Sequence, residues 1–98
     1  MATLHIEHPV TDFSTWKAAF DRFTDVRKSS GVCAHRILRP VDDAHFVVID
    51  LDFQTADQAR MFLAFLREHV WSSAASAPAL AGTPQTRIIE AAGLTSRS

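Results

Sequence analysis

The stretch His45-Phe46-Val47-Val48-Ile49-Asp50-Leu51-Asp52-Phe53 constrains the fold more than any other. Successive side chains of an extended strand point to opposite faces. His45, Val47, Ile49, Leu51 and Phe53 therefore share one side, and Phe46, Val48, Asp50 and Asp52 share the other. The first side needs a core to cover it. The second is half apolar and half acidic, which suits a surface covered in part by a partner subunit or a ligand better than one open to water. The segment reads as a central strand, with helices on its apolar side and a second copy of the chain on the other.

A chain of 98 residues is one domain, and at that size folding buries only about two-thirds of the unfolded surface, so oligomerisation adds useful stability. Ten Lys and Arg against eleven Asp and Glu give a net charge of -1. With no basic run, the electrostatic footprint of a nucleic-acid binder is missing. A single cysteine, Cys33, excludes an internal disulfide and the thiolate metal sites, so a reducing cytoplasm is the expected compartment and no metal or other cofactor is expected. His5, Glu7 and His8 interrupt the N-terminus where a signal peptide needs an apolar core, and no apolar run approaches the roughly 18 residues of a membrane span.

Along the chain, Leu4, Ile6 and Val10 alternate with Thr3, His5 and Glu7 in the period of a half-buried strand, which Pro9 brings to an end. Asp12 is placed to cap a helix whose Phe13, Trp16, Phe20 and Phe23 form an aromatic stripe at spacings of three and four, running to Ser29-Ser30-Gly31. Val32 to Arg39 reads as a second strand, and Pro40 to Ala44 as the turn of a hairpin with the strand His45 to Phe53. Thr55 and Gln58 have the spacing of a capping box for a second helix carrying Ala59, Phe62, Leu63, Leu66 and Val70 and ending near Trp71. Ser72 to Gln85, rich in Ser, Ala and Pro, reads as a loop with a short helical turn. Thr86 to Ala91 is the last strand and Gly93 to Ser98 a frayed tail, leaving an ordered core of about residues 3–91. The order strand, helix, strand, strand, helix, strand gives an α+β, ferredoxin-like βαββαβ fold. Its four-stranded antiparallel sheet has the first and third strands central and both helices on one face.

The run Val10-x-Asp12-Phe13-x-x-Trp16-Lys17-x-x-Phe20-Asp21, followed by Arg27, Gly31, the Arg39-x-x-Asp42-Asp43 turn, Asp52-Phe53, Trp71-Ser72-Ser73 and Pro78-Ala79-Leu80, resembles the small antibiotic-biosynthesis-monooxygenase-like proteins of the dimeric α+β barrel superfamily. The resemblance spans about Leu4 to Glu90 and is nearest to bacterial members of unassigned function. It implies a homodimer in which two sheets pack face to face across a two-fold axis. Relatives include cofactor-free monooxygenases acting on polycyclic aromatic compounds, heme-degrading enzymes, and proteins without a known reaction. The heme degraders place an asparagine on the first strand and a histidine and tryptophan on or near the second helix. This chain has His69 and Trp71 there but no asparagine at all.

If Leu4 and Ile6 face the helices, His5 and Glu7 lie beside Asp50 on the bare face of the sheet. His5 and Asp50 are the candidate catalytic pair, since an imidazole relays protons near neutral pH. The same residues serve equally as ion pairs across a dimer interface, with Arg36, Arg39 or Arg87 as partners. Glu7, His35, His69 and Trp71 are candidate ligand contacts. His35 fits a surface position as well, and Trp71 fits the core closing the helix end. Two functions fit this pattern. One is a homodimeric small-molecule-binding protein, extending to a cofactor-free monooxygenase-like enzyme on an apolar aromatic substrate. The other is a non-catalytic dimeric binding or stress-associated module. A ligand cavity on the order of 300 Å³ favours the first, and a filled interior the second.

Overall fold

A computed structural model of the chain describes residues 1–92. The expected tail from Gly93 to Ser98 lies outside the described residues. Strand β1 (Ala2–Pro9) leads through helices α1 (Phe13–Arg22) and α2 (Thr24–Ser29) to β2 (Ala34–Leu38) and β3 (Phe46–Phe53). Helix α3 (Ala56–Phe65), a π-helical turn (Leu66–Val70) and β4 (Gln85–Glu90) complete the order. The strands form one four-stranded antiparallel sheet in the order β2-β3-β1-β4. β1 and β3 are central, as the ferredoxin-like arrangement requires.

Alternation decides which face each side chain takes. Ala2, Leu4, Ile6 and His8 of β1 and Val47, Ile49, Leu51 and Phe53 of β3 are buried under the helices. His45 precedes β3 and is exposed, because the strand starts one residue later than the sequence pattern suggests. α3 packs directly on the sheet through Ala59, Phe62 and Leu63, whereas α1 stands further off and reaches the core through the ring of Trp16. Large aromatic side chains hold a helix away from the surface it covers, and a gap remains beneath it.

Two expected continuous helices are interrupted. Helix one breaks at Phe23, whose φ of -99° and ψ of 17° leave the helical region. The carbonyl groups freed at the break find other donors. The Arg27 guanidinium donates to the Phe20 carbonyl at 2.6 Å, and the Thr24 hydroxyl to that of Asp21 at 2.7 Å. The second helix changes at Leu66 to a wider turn in which the Trp71 amide donates to the Leu66 carbonyl at 2.7 Å, five residues back. That extra residue per turn swings Trp71 back toward the face that carries Leu66 and Val70. Hydrophobic spacing alone cannot reveal either break, since both halves keep the same face inward.

The terminal signals behave as the residues predict. The Asp12 carboxylate accepts from the Thr15 amide and hydroxyl, each at 2.8 Å. Thr55 and Gln58 close a reciprocal capping box. Gly31 takes a φ of 95° after α2, a conformation that costs a side-chain-bearing residue steric energy.

Candidate functional site

Two groups of chemistry-bearing residues stand on opposite faces of the sheet. On the open face the register sets Arg36, Asp50, His5 and Arg87 in one row across all four strands. His5 Nδ1 lies 2.7 Å from Asp50 Oδ1, and its Nε2 lies 3.2 Å from Glu7 Oε2. The Arg36 guanidinium donates to the other Asp50 oxygen at 2.8 Å. Thr3 donates to Asp52 at 2.7 Å in the next row. Around these groups lie the apolar side chains of Leu38, Val48 and Ile89, with Leu38 47% and Ile89 45% exposed. Beside His5, Glu7 and Arg87 the surface dips into a shallow trough of about 460 Å³, open to solvent.

The protonation states follow from the geometry. An imidazole with a carboxylate on each ring nitrogen satisfies both only when both nitrogens carry hydrogen. Partial burial pulls the His5 pKa down, but the hydrogen bonds to Asp50 and Glu7 and the charges of both outweigh it, so the value stands above 6.5. Burial likewise pushes Asp50 up, while the bonds from Arg36 and His5 outweigh it and hold the carboxyl below 3.8. The cluster therefore favours the charged forms of both His5 and Asp50.

Beneath the helices lies the second group. The gap left by α1 is a cavity of about 80 Å³ walled by Trp16, Phe20, Phe23, Phe62, Phe65 and Trp71, with Ile49 and Leu51 of β3 as its floor. The rings of Trp16 and Phe20 stack with centroids 5.1 Å apart, and Phe62 and Phe65 stack at 5.9 Å. The π-helical turn and the stretch from Ser76 to Leu80 cover it. Besides Ser76 of the cover, two buried polar residues enter this apolar space, His8 and Arg27, respectively 3% and 6% exposed. Arg27 is spoken for by the Phe20 carbonyl and the Thr24 hydroxyl, and its guanidinium carbon sits 3.6 Å from the centre of the Phe20 ring. Burial lowers the His8 pKa below 6.5 more than the bond to the Pro9 carbonyl raises it, so the ring is held neutral.

The sequence candidates thus separate. His5, Glu7 and Asp50 come together on the open face. Trp71 is part of the cavity wall on the other. His35 is exposed at the helix side of β2, its ring 5.5 Å from Phe20, and does not join His5. His69 points outward at 64% side-chain exposure beside Glu68 and is not part of the wall. Sequence reasoning passed over His8 and Arg27. His8 carries the parity of Leu4 and Ile6, and Arg27 continues the stripe of Phe20 and Phe23, so periodicity marks both as inward; their polarity hid them.

No family model and no curated protein matches the sequence. Solved structures do share the fold. SnoaB, a cofactor-independent oxygenase from Streptomyces nogalater, is 20% identical over 98% of this chain and 97% of its own, with a TM-score of 0.72. A monooxygenase from the gene ActVA-Orf6 of Streptomyces coelicolor, solved in complex with nanaomycin D, is 18% identical over 99% of this chain and 92% of its own, at a TM-score of 0.63. A dimeric ferredoxin-like protein from an uncultured marine organism is 7% identical over 99% of this chain and 100% of its own, at 0.60. With its strand order and its helices on one face, the chain shares the ferredoxin-like α+β fold of these oxygenases and of the dimeric ferredoxin-like protein.

Proposed function

We propose that the protein is a homodimer that binds an apolar aromatic small molecule in the cavity beneath α1, with the open sheet face as the contact between subunits. The observation that carries this reading is the cavity wall itself, six tryptophan and phenylalanine side chains around a space that only His8, Arg27 and Ser76 enter as polar residues. Such a lining selects flat apolar ligands, and few polar groups fix their orientation. The volume of about 80 Å³ is well under the roughly 300 Å³ of a drug-sized site, so a multi-ring ligand enters only with displacement of the cover. The π-helical turn in that cover fits a ligand site, since such single-turn bulges inside α-helices occur frequently at functional sites.

Cofactor-free monooxygenase-like chemistry on the bound compound is the finer part of the proposal. It is supported by the fold shared with two oxygenases. In this reading His5 and Asp50 stabilise the subunit contact and the proton handling falls to the cavity. The opposite assignment, His5 and Asp50 as proton handlers, predicts that His5→Ala and Asp50→Ala abolish turnover in a folded dimer. The small volume favours one alternative, a non-catalytic dimeric module.

Native mass spectrometry of the protein drawn from its own cell extract tests the reading. A dimer retaining an aromatic compound is the expected result, and oxygen consumption on adding that compound back then supports catalysis. An empty dimer favours the non-catalytic module, and a monomer removes the proposed subunit contact.

A further inference from the structure

We propose that His8 selects a hydroxyl-bearing aromatic ring, a phenol, for the cavity beneath α1, by accepting a hydrogen bond from its O–H at Nε2. The inference rests on the reading of that cavity as a ligand site. A carbonyl oxygen can only accept, so the His8 Nδ1 that lies 2.9 Å from the Pro9 carbonyl carries the ring hydrogen. Nε2 is then left with a lone pair. Among the described residues no side chain or backbone group donates to it. Nor does any side-chain nitrogen or oxygen sealed from solvent go without a partner, so Nε2 looks onto open volume. His8 lines the cavity at 3% exposure, and the volume beside it is that cavity.

The surroundings fix the ring. Trp16 meets the imidazole edge-on with centroids 6.3 Å apart. Arg27 donates to the Phe20 carbonyl and the Thr24 hydroxyl, and its guanidinium lies against the Phe20 ring. The remaining walls are mostly aromatic or aliphatic. A ligand that presents a methyl group to Nε2 buries an unpaired acceptor, whereas one that presents a hydroxyl satisfies it. Sites with a buried polar group discriminate against the analogue that lacks the partner more strongly than apolar sites discriminate by size.

The test uses p-cresol and p-xylene, which differ by hydroxyl against methyl, are matched in size, and both enter only with displacement of the cavity's cover. Binding is followed by the indole N–H resonances of Trp16 and Trp71 and by the nitrogen-15 shift of His8 Nε2. The affinity ratio is compared between the wild type and His8→Phe, because the difference in hydration of the two ligands cancels between proteins. The expected result is a ratio favouring p-cresol by about tenfold or more in the wild type relative to His8→Phe, with Nε2 shifted only by p-cresol. Equal ratios with both ligands bound overturn the role of His8 and leave the cavity reading intact. Binding of neither ligand overturns both. If His8→Phe does not fold, the Nε2 shift decides alone: an unshifted nitrogen with p-cresol bound sinks the inference.

Discussion

His5 and His8 stand three residues apart on one strand and meet opposite environments. His5 sits between two carboxylates and holds its proton more tightly on folding; His8 sits among aromatic rings and holds its proton less tightly. The two affect stability with opposite sign. A group whose folded pKa is raised contributes stability that is fully present below its unfolded value of 6.5 and is lost as pH rises through the folded value. Asp50, held below 3.8, contributes fully above 3.8 and loses that contribution as pH falls through its folded value. The His5–Asp50 pair is therefore worth most between 3.8 and 6.5. His8 works against this trend, because its lowered pKa favours the folded state above 6.5. Urea unfolding of the wild type and His5→Gln from about pH 6 to about pH 8.5 separates the two effects. The wild type should lose stability relative to the variant as pH rises, and a constant difference would remove the ion pair from the stability of the fold.

At the scale of elements, the two ends that close α2 and open α3 are joined by one side chain. Gln58 completes the cap of α3 with Thr55, and its amide nitrogen would lie 2.9 Å from a Cβ built on Gly31. A Gly31→Ala change meets two obstacles. The φ of 95° strains any residue with a Cβ. The flexible end of Gln58 can swing aside, but doing so opens the cap. Gly31→Ala is expected to cost about 1–2 kcal/mol and Thr55→Ala about 1 kcal/mol in urea titrations. The double variant should lose less than the sum, since the cap can be lost only once. Strict additivity would show that the two helix ends are independent. The same scale holds the features that spacing concealed, the break at Phe23 and the π-helical turn. Both preserve the inward face of Phe20, Leu66 and Val70, which is all that hydrophobic periodicity records.

For the whole molecule, the open sheet face is where the fold and its assembly meet. Val48 lies between Leu38 of β2 and Glu7 of β1 on that face, in the row next to Asp50 and His5. Val48→Lys puts a long, hydrated ammonium side chain in place of an apolar one where two such faces would meet about a two-fold axis. It should weaken dimerisation at least about tenfold by sedimentation while leaving the circular dichroism spectrum unchanged. A dimer that persists undiminished would place the subunit contact elsewhere. No helix among the described residues is long and apolar enough to cross a membrane.

The amino-acid sequence alone determined the element order, the central position of the Phe46–Phe53 strand, the face on which His5, Glu7 and Asp50 meet, the Asp12 and Thr55 caps and the turn at Gly31. Each of these depends on local chemistry or on a period of two or of three to four residues, and such signals are written in neighbouring residues. The tertiary structure decided what depends on distances between elements. How far α1 stands from the sheet sets the cavity, the wider turn at Leu66 brings Trp71 into its wall, and burial against Trp16 makes a neutral acceptor of His8. Periodicity says that a side chain points inward. Only packing says whether it meets a filled core or an open space.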